Sequence, residues 1–161
     1  MTWDAHRIIT ALVGRYWFNN TVMIEWEVDG GRADFVVISR ARYLTEIEIK
    51  VTADDWKKDS KKIKWTTPLR PHVARFFYCV PHDLVDSAPL LPDGVGILEV
   101  VGYLRRDGVG VVREAKRLKG AEKISEDTIR AIYKAAYFRF WRQTLNLAWK
   151  ERKILTKINR K

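Results

Sequence analysis

The sequence predicts an α/β fold, in which a mixed central β-sheet is flanked by helices and followed by a long C-terminal helix. Apolar residues recur every three or four positions over residues 3–18, as on the buried face of a helix. Strand-like patterns fill residues 21–52. A charged helical pattern at 54–65 separates them from further apolar runs. Because helix, three strands, helix and further strands follow one another, we expect a mixed sheet with helices packed on it.

The first three strands are predicted directly after the first helix, whose candidate N-caps are Thr2 and Asp4. Residues 21–28 alternate polar and apolar side chains, and Asp29-Gly30-Gly31 tolerates the positive φ of a hairpin turn. Residues 33–39 are apolar on both faces. In the third strand, residues 43–52, one face carries Ile47, Ile49 and Val51 and the other carries Glu46, Glu48 and Lys50.

The chain is expected to divide into a core, residues 1–118, and a basic helical extension, residues 119–161, that packs on the core. Further core strands are predicted at 74–80, 94–101 and 109–114, with a Pro- and Asp-rich loop at 81–93. The helix of the extension begins after its N-cap, Ser125. Its apolar stripe consists of Ile129, Ile132, Tyr133, Ala136, Tyr137, Phe140, Trp141, Thr144 and Leu145. We interpret this stripe as a packing face, with enough apolar surface to form a homodimer.

The net charge of +10 is unevenly distributed along the chain. Residues 1–112 contain as many acidic as basic residues, so the whole excess lies in residues 113–161. A neutral body with a basic C-terminal third indicates a polyanionic partner, and we expect DNA. The alternative is a solvated basic helix that only keeps the chain in solution. The cations expected to contact DNA are Lys57, Lys61 and Lys64 on the second helix and Arg130, Lys134, Arg139 and Arg142 on the last one.

The composition excludes several kinds of site. The single cysteine, Cys79, lies in an apolar run and cannot form an internal disulfide. The three histidines are scattered, and no Cys/His spacing indicates structural zinc. The N-terminus lacks a signal-peptide pattern, and no window approaches the length of apolar sequence that spans a bilayer. We therefore expect a reducing, cytoplasmic setting without membrane association.

Two carboxylates and a lysine are predicted to converge on one site. Glu48 and Lys50 are two residues apart on a strand and therefore share a face, which Asp34 can reach from the neighbouring strand. Carboxylate pairs suit Mg²⁺ or Mn²⁺, which would polarise a scissile phosphate and activate a bound water. Lys50 would orient that water or neutralise the developing charge. The alternative is a solvated sheet face, since Glu-x-Lys alone is common in strands. The pattern indicates a site more strongly when an Asp lies on the hairpin partner, as it does here.

These residues resemble the motif of the PD-(D/E)XK nuclease superfamily and, within it, MmcB-like DNA-repair proteins and small phage-type nucleases. The matching residues are Arg32-Ala33-Asp34, Glu46-Ile47-Glu48-Ile49-Lys50, Asp55-Trp56, Asp59, Lys64-Trp65, Phe76-Phe77-Tyr78-Cys79-Val80-Pro81 and Gly96-Ile97-Leu98. The resemblance covers residues 5–118 and, more loosely, the final helix. It implies a restriction-endonuclease-like core that hydrolyses DNA with a divalent metal. Asp34 and Glu48 would be metal ligands, and Lys50 the catalytic base or charge stabiliser.

Some positions depart from the superfamily pattern. Ala33 replaces the proline of the motif's name, a common variation. Many members carry a glutamate on the first helix, where this chain has only Asp4. Glu25 on the first strand is the expected catalytic replacement, and Glu27 on the same face competes with it.

The helix after the site strand is predicted to support the site. Asp55 and Asp59 are four residues apart on one helical face, from which they would hold Lys50 or orient its strand. The leading hypothesis is thus a metal-dependent DNA endonuclease acting in DNA repair, recombination or phage DNA processing. A second hypothesis is a catalytically silent DNA-binding module with a nuclease fold, favoured by the missing first-helix glutamate. A third is a structural subunit that needs a partner for activity.

Overall fold

The computed structural model describes residues 3–59, 71–102 and 107–158. Within them, one six-stranded sheet has the order β1-β2-β3-β4-β5-β6. Its strands are β1 (Thr21–Val28), β2 (Gly31–Ile38), β3 (Leu44–Ile49), β4 (Val73–Pro81), β5 (Gly96–Val101) and β6 (Gly108–Arg113). The pairs β3–β4 and β4–β5 are parallel, and the other pairs are antiparallel. The α-helices are α1 (Ala5–Tyr16), α2 (Ala53–Asp59) and α3 (Glu126–Ile158). This arrangement confirms the predicted α/β fold with a mixed sheet and flanking helices.

Helix α1 begins at the cap that its sequence predicts. The carboxylate of Asp4 accepts a hydrogen bond from the backbone N–H of Arg7 at 2.8 Å, which satisfies one of the free donors of the first turn. Ile8 and Leu12 are fully buried one turn apart. The helix is shorter than the predicted residues 3–18 because the chain is capped at Asp4 and leaves the helix after Tyr16.

The β1–β2 hairpin turns through two residues with positive φ. Asp29 has a φ of 46° and Gly30 a φ of 76°, while the flanking Val28 and Gly31 are paired. This is the geometry of a type I′ turn, whose twist matches that of the strands. The Asp29 carboxylate also accepts the backbone N–H of His72 at 2.9 Å, so the turn fixes the approach to β4.

The sheet has a hydrophobic core on each face. On one face, α1 covers a cluster that includes Ile47, Phe77 and Cys79. On the other face, Trp56 of α2 packs with Tyr78 and its neighbours on β4 and β5. β4 therefore alternates its side chains between two cores, as its predicted apolar run requires. Burial raises the pKa of the Cys79 thiol, which fits the inert buried role expected from the sequence.

The structure corrects the interpretation of residues 81–93 as a plain loop. β4 extends through Pro81, and a 3₁₀-helix follows at His82–Ser87, closed by a hydrogen bond from the Ala88 N–H to the Val85 carbonyl at 3.1 Å. β5 begins at Gly96 rather than at residue 94, because Gly94 adopts a φ of 93° and turns the chain.

Helix α3 starts where the sequence predicts. The hydroxyl of Ser125 accepts the Thr128 N–H at 3.0 Å. The chain forms two compact units, residues 1–123 and 124–161. In the second unit Ile132 is buried, whereas the other large side chains of the predicted stripe are exposed, namely Tyr133, Tyr137, Phe140, Trp141 and Leu145. In the described part of the chain, none of the helices combines the length and hydropathy that crossing a membrane requires.

Replacing Gly96 by alanine is expected to lower the free energy of unfolding by about 1–3 kcal/mol through overpacking. A Cβ at this position would lie 2.3 Å from ring carbons of Phe77 and 2.9 Å from the Cβ of Ala115. The control is Gly14→Ala in the interior of α1, where a Cβ meets nothing within 4 Å. That change is expected to stabilise the protein by up to about 1 kcal/mol. Urea unfolding of both variants checks the contrast, which equal stabilities would contradict.

The Arg7–Asp107 ion pair is expected to make stability sensitive to acid. Arg7 donates from Nε to Asp107 at 2.6 Å, and the hydrogen bonds hold the pKa of Asp107 below its usual range. A lowered carboxyl pKa contributes stability that is complete above the unfolded-state value, about 4, and is lost as the pH falls through the lower native value. Asp107→Asn should therefore lower the melting temperature at pH 7 and much less near pH 3. An equal difference at both pH values would contradict this prediction.

Candidate active site

Register places Asp34 and Glu48 next to each other on one face of the sheet. Phe35 of β2 pairs with Ile47 of β3, so the next step along the antiparallel strands brings Asp34 opposite Glu48. Both side chains lie on the face opposite to Ile47, since alternate residues of a strand project to opposite sides. Tyr78 of β4 pairs with Glu48 and extends this row by one more strand.

Asp34 is also bonded to the end of β3. Its Oδ2 accepts the backbone N–H of Ile49 at 2.9 Å. A carboxylate therefore takes the hydrogen bond that a neighbouring strand would otherwise take. The contact fixes Asp34 beside the Glu48–Lys50 segment.

Lys50 is the centre of a buried ion-pair cluster. Its Nζ lies 3.5 Å from Oε2 of Glu48, 3.4 Å from Oδ2 of Asp59 and 3.7 Å from Oδ2 of Asp55. The Lys50 side chain is only 8% exposed. Its backbone N–H donates to the Cys79 carbonyl at 3.0 Å, so the residue is held at both ends. We call Glu48, Lys50, Asp55 and Asp59 the lysine cluster.

Helix α2 supplies two members of the lysine cluster, as the four-residue spacing predicted. Asp59 is 1% exposed, whereas Asp55 is 58% exposed. Trp56 lies between them in the chain, is fully buried, and makes an edge-on contact with the ring of Tyr78 at a centroid distance of 5.7 Å. Packing of this indole holds the helix against the sheet and its acidic face toward Lys50.

Tyr78 and Glu46 are buried beside this cluster. Glu46 is expected from the sequence on the face of Glu48 and Lys50, whereas Tyr78 is not a predicted site residue. The Tyr78 hydroxyl donates to Oδ2 of Asp59 at 3.2 Å. Burial, reinforced by the Asp59 charge, raises the pKa of Tyr78, so the phenol stays a proton donor. Glu46 is fully buried two residues before Glu48. Strand alternation predicts the position of Glu46 on this face, whereas Tyr78 can be assigned to the site only when the β3–β4 register is known.

Glu25 stands opposite Asp34 between the pairs Ile24–Phe35 and Trp26–Ala33. It has a φ of 49°, which is uncommon for a residue with a Cβ, and its carboxylate forms an exposed ion pair with Arg32 at 2.8 Å.

The predicted DNA-contacting cations are spread over α2 and α3. Lys57 is exposed on α2, whereas Lys61 and Lys64 lie outside the described residues. On α3 the exposed cations are Arg130, Lys134, Arg139 and Arg142. Arg130 is 4.0 Å from Asp127. Helical geometry puts Arg130 and Lys134 among the apolar side chains of the stripe.

The donor set suits a hard divalent cation only with additional oxygen ligands. Among residues 3–59, 71–102 and 107–158, no group of three or more His, Cys, Asp or Glu side chains is arranged to hold a metal ion. Asp34 and Glu48 nevertheless contribute two carboxylates from adjacent strands. Mg²⁺ is commonly bound through one or two carboxylates, with waters and substrate phosphate completing its six oxygens. The two residues therefore fit such an ion.

The fold and the lysine cluster define an α/β protein with a buried charged site at the end of its central strands. The family model for MmcB-like DNA repair proteins matches residues 7–145, and the chain belongs to this family. Among solved structures, the chain is similar to a protein of unknown function from Silicibacter pomeroyi, SPO1766. The two are 20% identical, with a TM-score of 0.60 over 89% of this chain and 92% of that chain, so the likeness shows the fold alone. No curated protein matches the sequence.

Proposed function

We propose that this chain is a metal-dependent endonuclease of the PD-(D/E)XK type that hydrolyses DNA phosphodiester bonds in DNA repair. The observation that carries the proposal is a buried lysine, Lys50, held among carboxylates beside the Asp34–Glu48 pair. A buried charged group with several charged partners is expensive to maintain, which favours a chemical role over a structural one. The family match supports the DNA-repair setting.

Each residue of the site would have a separate role in this reaction. Asp34 and Glu48 would hold Mg²⁺ or Mn²⁺, which when bound supplies charge stabilisation and an activated water. Lys50 would point its ammonium group at that water or at the phosphate, where negative charge develops. Asp59 and Tyr78 would position Lys50 through the contacts at 3.4 Å and 3.2 Å.

The direct test is cleavage of plasmid and branched DNA with Mg²⁺ or Mn²⁺. We expect the wild type to cut at least one substrate and Glu48→Gln, purified identically, to lose the activity. Equal cleavage by both proteins would indicate a contaminant and contradict the proposal, as would a wild type that cuts none of the substrates. Glu25→Gln and Glu27→Gln, on the same face of β1, show which glutamate the site needs.

A second candidate function is a DNA-binding module that keeps the nuclease fold without turnover. It is favoured by the arrangement of Glu48, which already faces Lys50 at 3.5 Å, and by the lack of a three-carboxylate metal group in the described ranges. Calorimetric titration with Mn²⁺ separates the two functions. If metal does not bind while DNA affinity falls steeply with salt, the binding module is the better description.

We further propose that DNA contacts the exposed cations of α2 and α3. Each phosphate neutralised on duplex DNA steepens the dependence of log affinity on log salt by about 0.9. The double variant Arg139→Ala/Arg142→Ala should therefore bind more weakly and reduce the slope by up to about 1.8. Fluorescence anisotropy of labelled DNA across a salt series measures this slope. An unchanged slope would show that neither residue contacts a phosphate.

The exposed apolar side chains of α3 support a homodimer as a further proposal. Tyr137 and Trp141 make an edge-on contact one turn apart, with 6.1 Å between ring centroids, and both remain exposed. Such a stripe is a larger apolar surface than a solvated helix normally shows. Native mass spectrometry of the full chain is expected to show a dimer that Trp141→Glu dissociates, and a monomeric wild type would contradict the proposal.

A further inference from the structure

Aromatic and cationic side chains gather at the end of the sheet where β1 and β3 begin. We call this set the aromatic–cationic surface. It consists of Trp17, Phe18, Arg40, Tyr43, Arg117 and Lys123. Leu44, the first residue of β3, precedes Lys50 by six positions, so the surface lies on the order of 20 Å along the strand from the lysine cluster. It is therefore a separate place from the candidate active site.

Tyr43 is the centre of one half of this surface. The guanidinium carbon of Arg117 lies 4.0 Å from the centroid of the Tyr43 ring, and Lys123 Nζ lies 5.5 Å from it. The segment that carries these two cations is tied to β4 by the Leu118 N–H, which donates to the Ala74 carbonyl at 2.9 Å. The Glu122 N–H likewise donates to the Pro71 carbonyl at 2.8 Å, so the backbone places the segment from which both cations reach the ring.

Trp17 and Phe18 form the other half, just after α1. They are 60% and 78% exposed and meet edge to face at 6.0 Å. Arg40 is attached to the same corner because its Nη2 donates to the side chain of Asn19 at 3.0 Å.

The sheet register sets the separation of the two halves. Thr21 pairs with Ile38, and Ile38 pairs with Leu44. The corner after α1 and the start of β3 are therefore two strand spacings apart, roughly 10 Å. An exposed ring at Trp17 and a half-buried ring at Tyr43 at this spacing, with cations beside each, can contact one continuous ligand.

Charge favours a polyanion as that ligand. The cations Arg40, Arg117 and Lys123 are all exposed. The acidic residues of the segment, Glu114 and Glu122, are exposed as well and only partly offset them. Aromatic rings beside cations match an unpaired base flanked by phosphates, because a base that is already stacked and paired in a duplex does not offer its face.

We propose that the aromatic–cationic surface binds single-stranded DNA, with bases stacked on Tyr43 and Trp17 and phosphates contacted by the neighbouring cations. The proposal shares with the proposed function only the assumption that DNA is the partner, and it does not depend on cleavage. It gives a repair protein a means of holding an unpaired strand away from the lysine cluster.

The test is anisotropy of a fluorescein-labelled oligothymidine with the full chain in EDTA, where no metal-dependent cleavage occurs. Tyr43→Ala should weaken binding about five- to a hundredfold, since stacking of one base on an aromatic ring contributes about 1–3 kcal/mol. Tyr43→Phe keeps the ring and should bind like the wild type. Arg117→Ala/Lys123→Ala should lower the salt slope by about 1.4, because each single-strand phosphate contributes about 0.7.

The control for loss of a nearby surface charge is Lys116→Ala. Lys116 is next to Arg117 in the chain, and its Nζ is already bonded to Asp93 at 2.8 Å. Its affinity should stay close to that of the wild type. Circular dichroism confirms that each variant is folded. Unchanged binding by folded Tyr43→Ala, or an equal loss for Lys116→Ala, overturns the proposal even if the enzyme cleaves DNA. The proposal is also overturned if a blunt duplex binds as tightly as the oligothymidine and Tyr43→Ala weakens both equally. If Tyr43→Ala loses single-strand binding and the wild type cleaves no DNA, the proposal for this surface is supported and only the proposed function is wrong.

Discussion

Replacing Lys50 by methionine is expected to lower the free energy of unfolding by about 3–5 kcal/mol, the usual consequence of removing one partner from a buried ion pair. Glu48 and Asp59 are almost completely buried and would be left facing each other and Asp55 without a cation. The same change removes the ammonium group from the candidate site. DNA cleavage should therefore fall by a factor of about a hundred or more, a loss typical for a charge-stabilising group.

Urea unfolding measures the structural part of this prediction. Lys58→Met is the matched control, because Lys58 is exposed on the neighbouring α2 and its loss should cost less than about 0.5 kcal/mol. A Lys50→Met protein as stable as the wild type would show that the cluster is not an ion-pair network.

The two aspartates of α2 give the second large contrast. Asp59→Asn should destabilise the protein by about 3 kcal/mol, since it removes a buried charge that contacts Lys50 at 3.4 Å. Asp55→Asn should cost less than about 1 kcal/mol, because that carboxylate is 58% exposed and its contact with Lys50 is 3.7 Å. The substitutions are chemically identical and lie one helical turn apart, so each is the control for the other.

Cleavage assays on the same pair distinguish a positioning role from a purely structural one. If Asp59 positions Lys50, Asp59→Asn should lower kcat while leaving KM nearly unchanged, at a temperature where both variants are fully folded. A protein with wild-type kcat that merely unfolds earlier would restrict Asp59 to stability. Equal destabilisation by the two variants would contradict the assigned difference in burial.

Much of the site could be predicted because strand alternation is a strong local signal. The residues 46, 48 and 50 alternate with 47, 49 and 51. The structure buries the first set on the face of Tyr78, and it places Ile47 and Ile49 in the core under α1 with Val51 packed against that core. The four-residue spacing of Asp55 and Asp59 likewise predicted their shared approach to Lys50. These features depend on periods of two and about four, which single sequences show directly.

The remaining features depend on register and on local backbone geometry. Tyr78 joins the cluster only because β3 and β4 pair in parallel at that residue, thirty positions after Glu48. The positive φ of Glu25 and the 3₁₀-helix at His82–Ser87 arise from local conformations that the side-chain pattern does not encode. The exposure of the α3 stripe could not be predicted either. Periodicity predicts that a helix has an apolar face, but it does not show which surface packs against that face.

The alternation in β3 ties the placement of the candidate site to the hydrophobic core. A shift of one residue in its pairing would turn Glu46, Glu48 and Lys50 into the core of α1 and expose Ile47 and Ile49 on the polar side. Such a misfolded chain would carry buried charges without partners and could not persist. The hydrophobic core thus fixes the register of β3, so every folded molecule carries Glu46, Glu48 and Lys50 on the same face of the sheet.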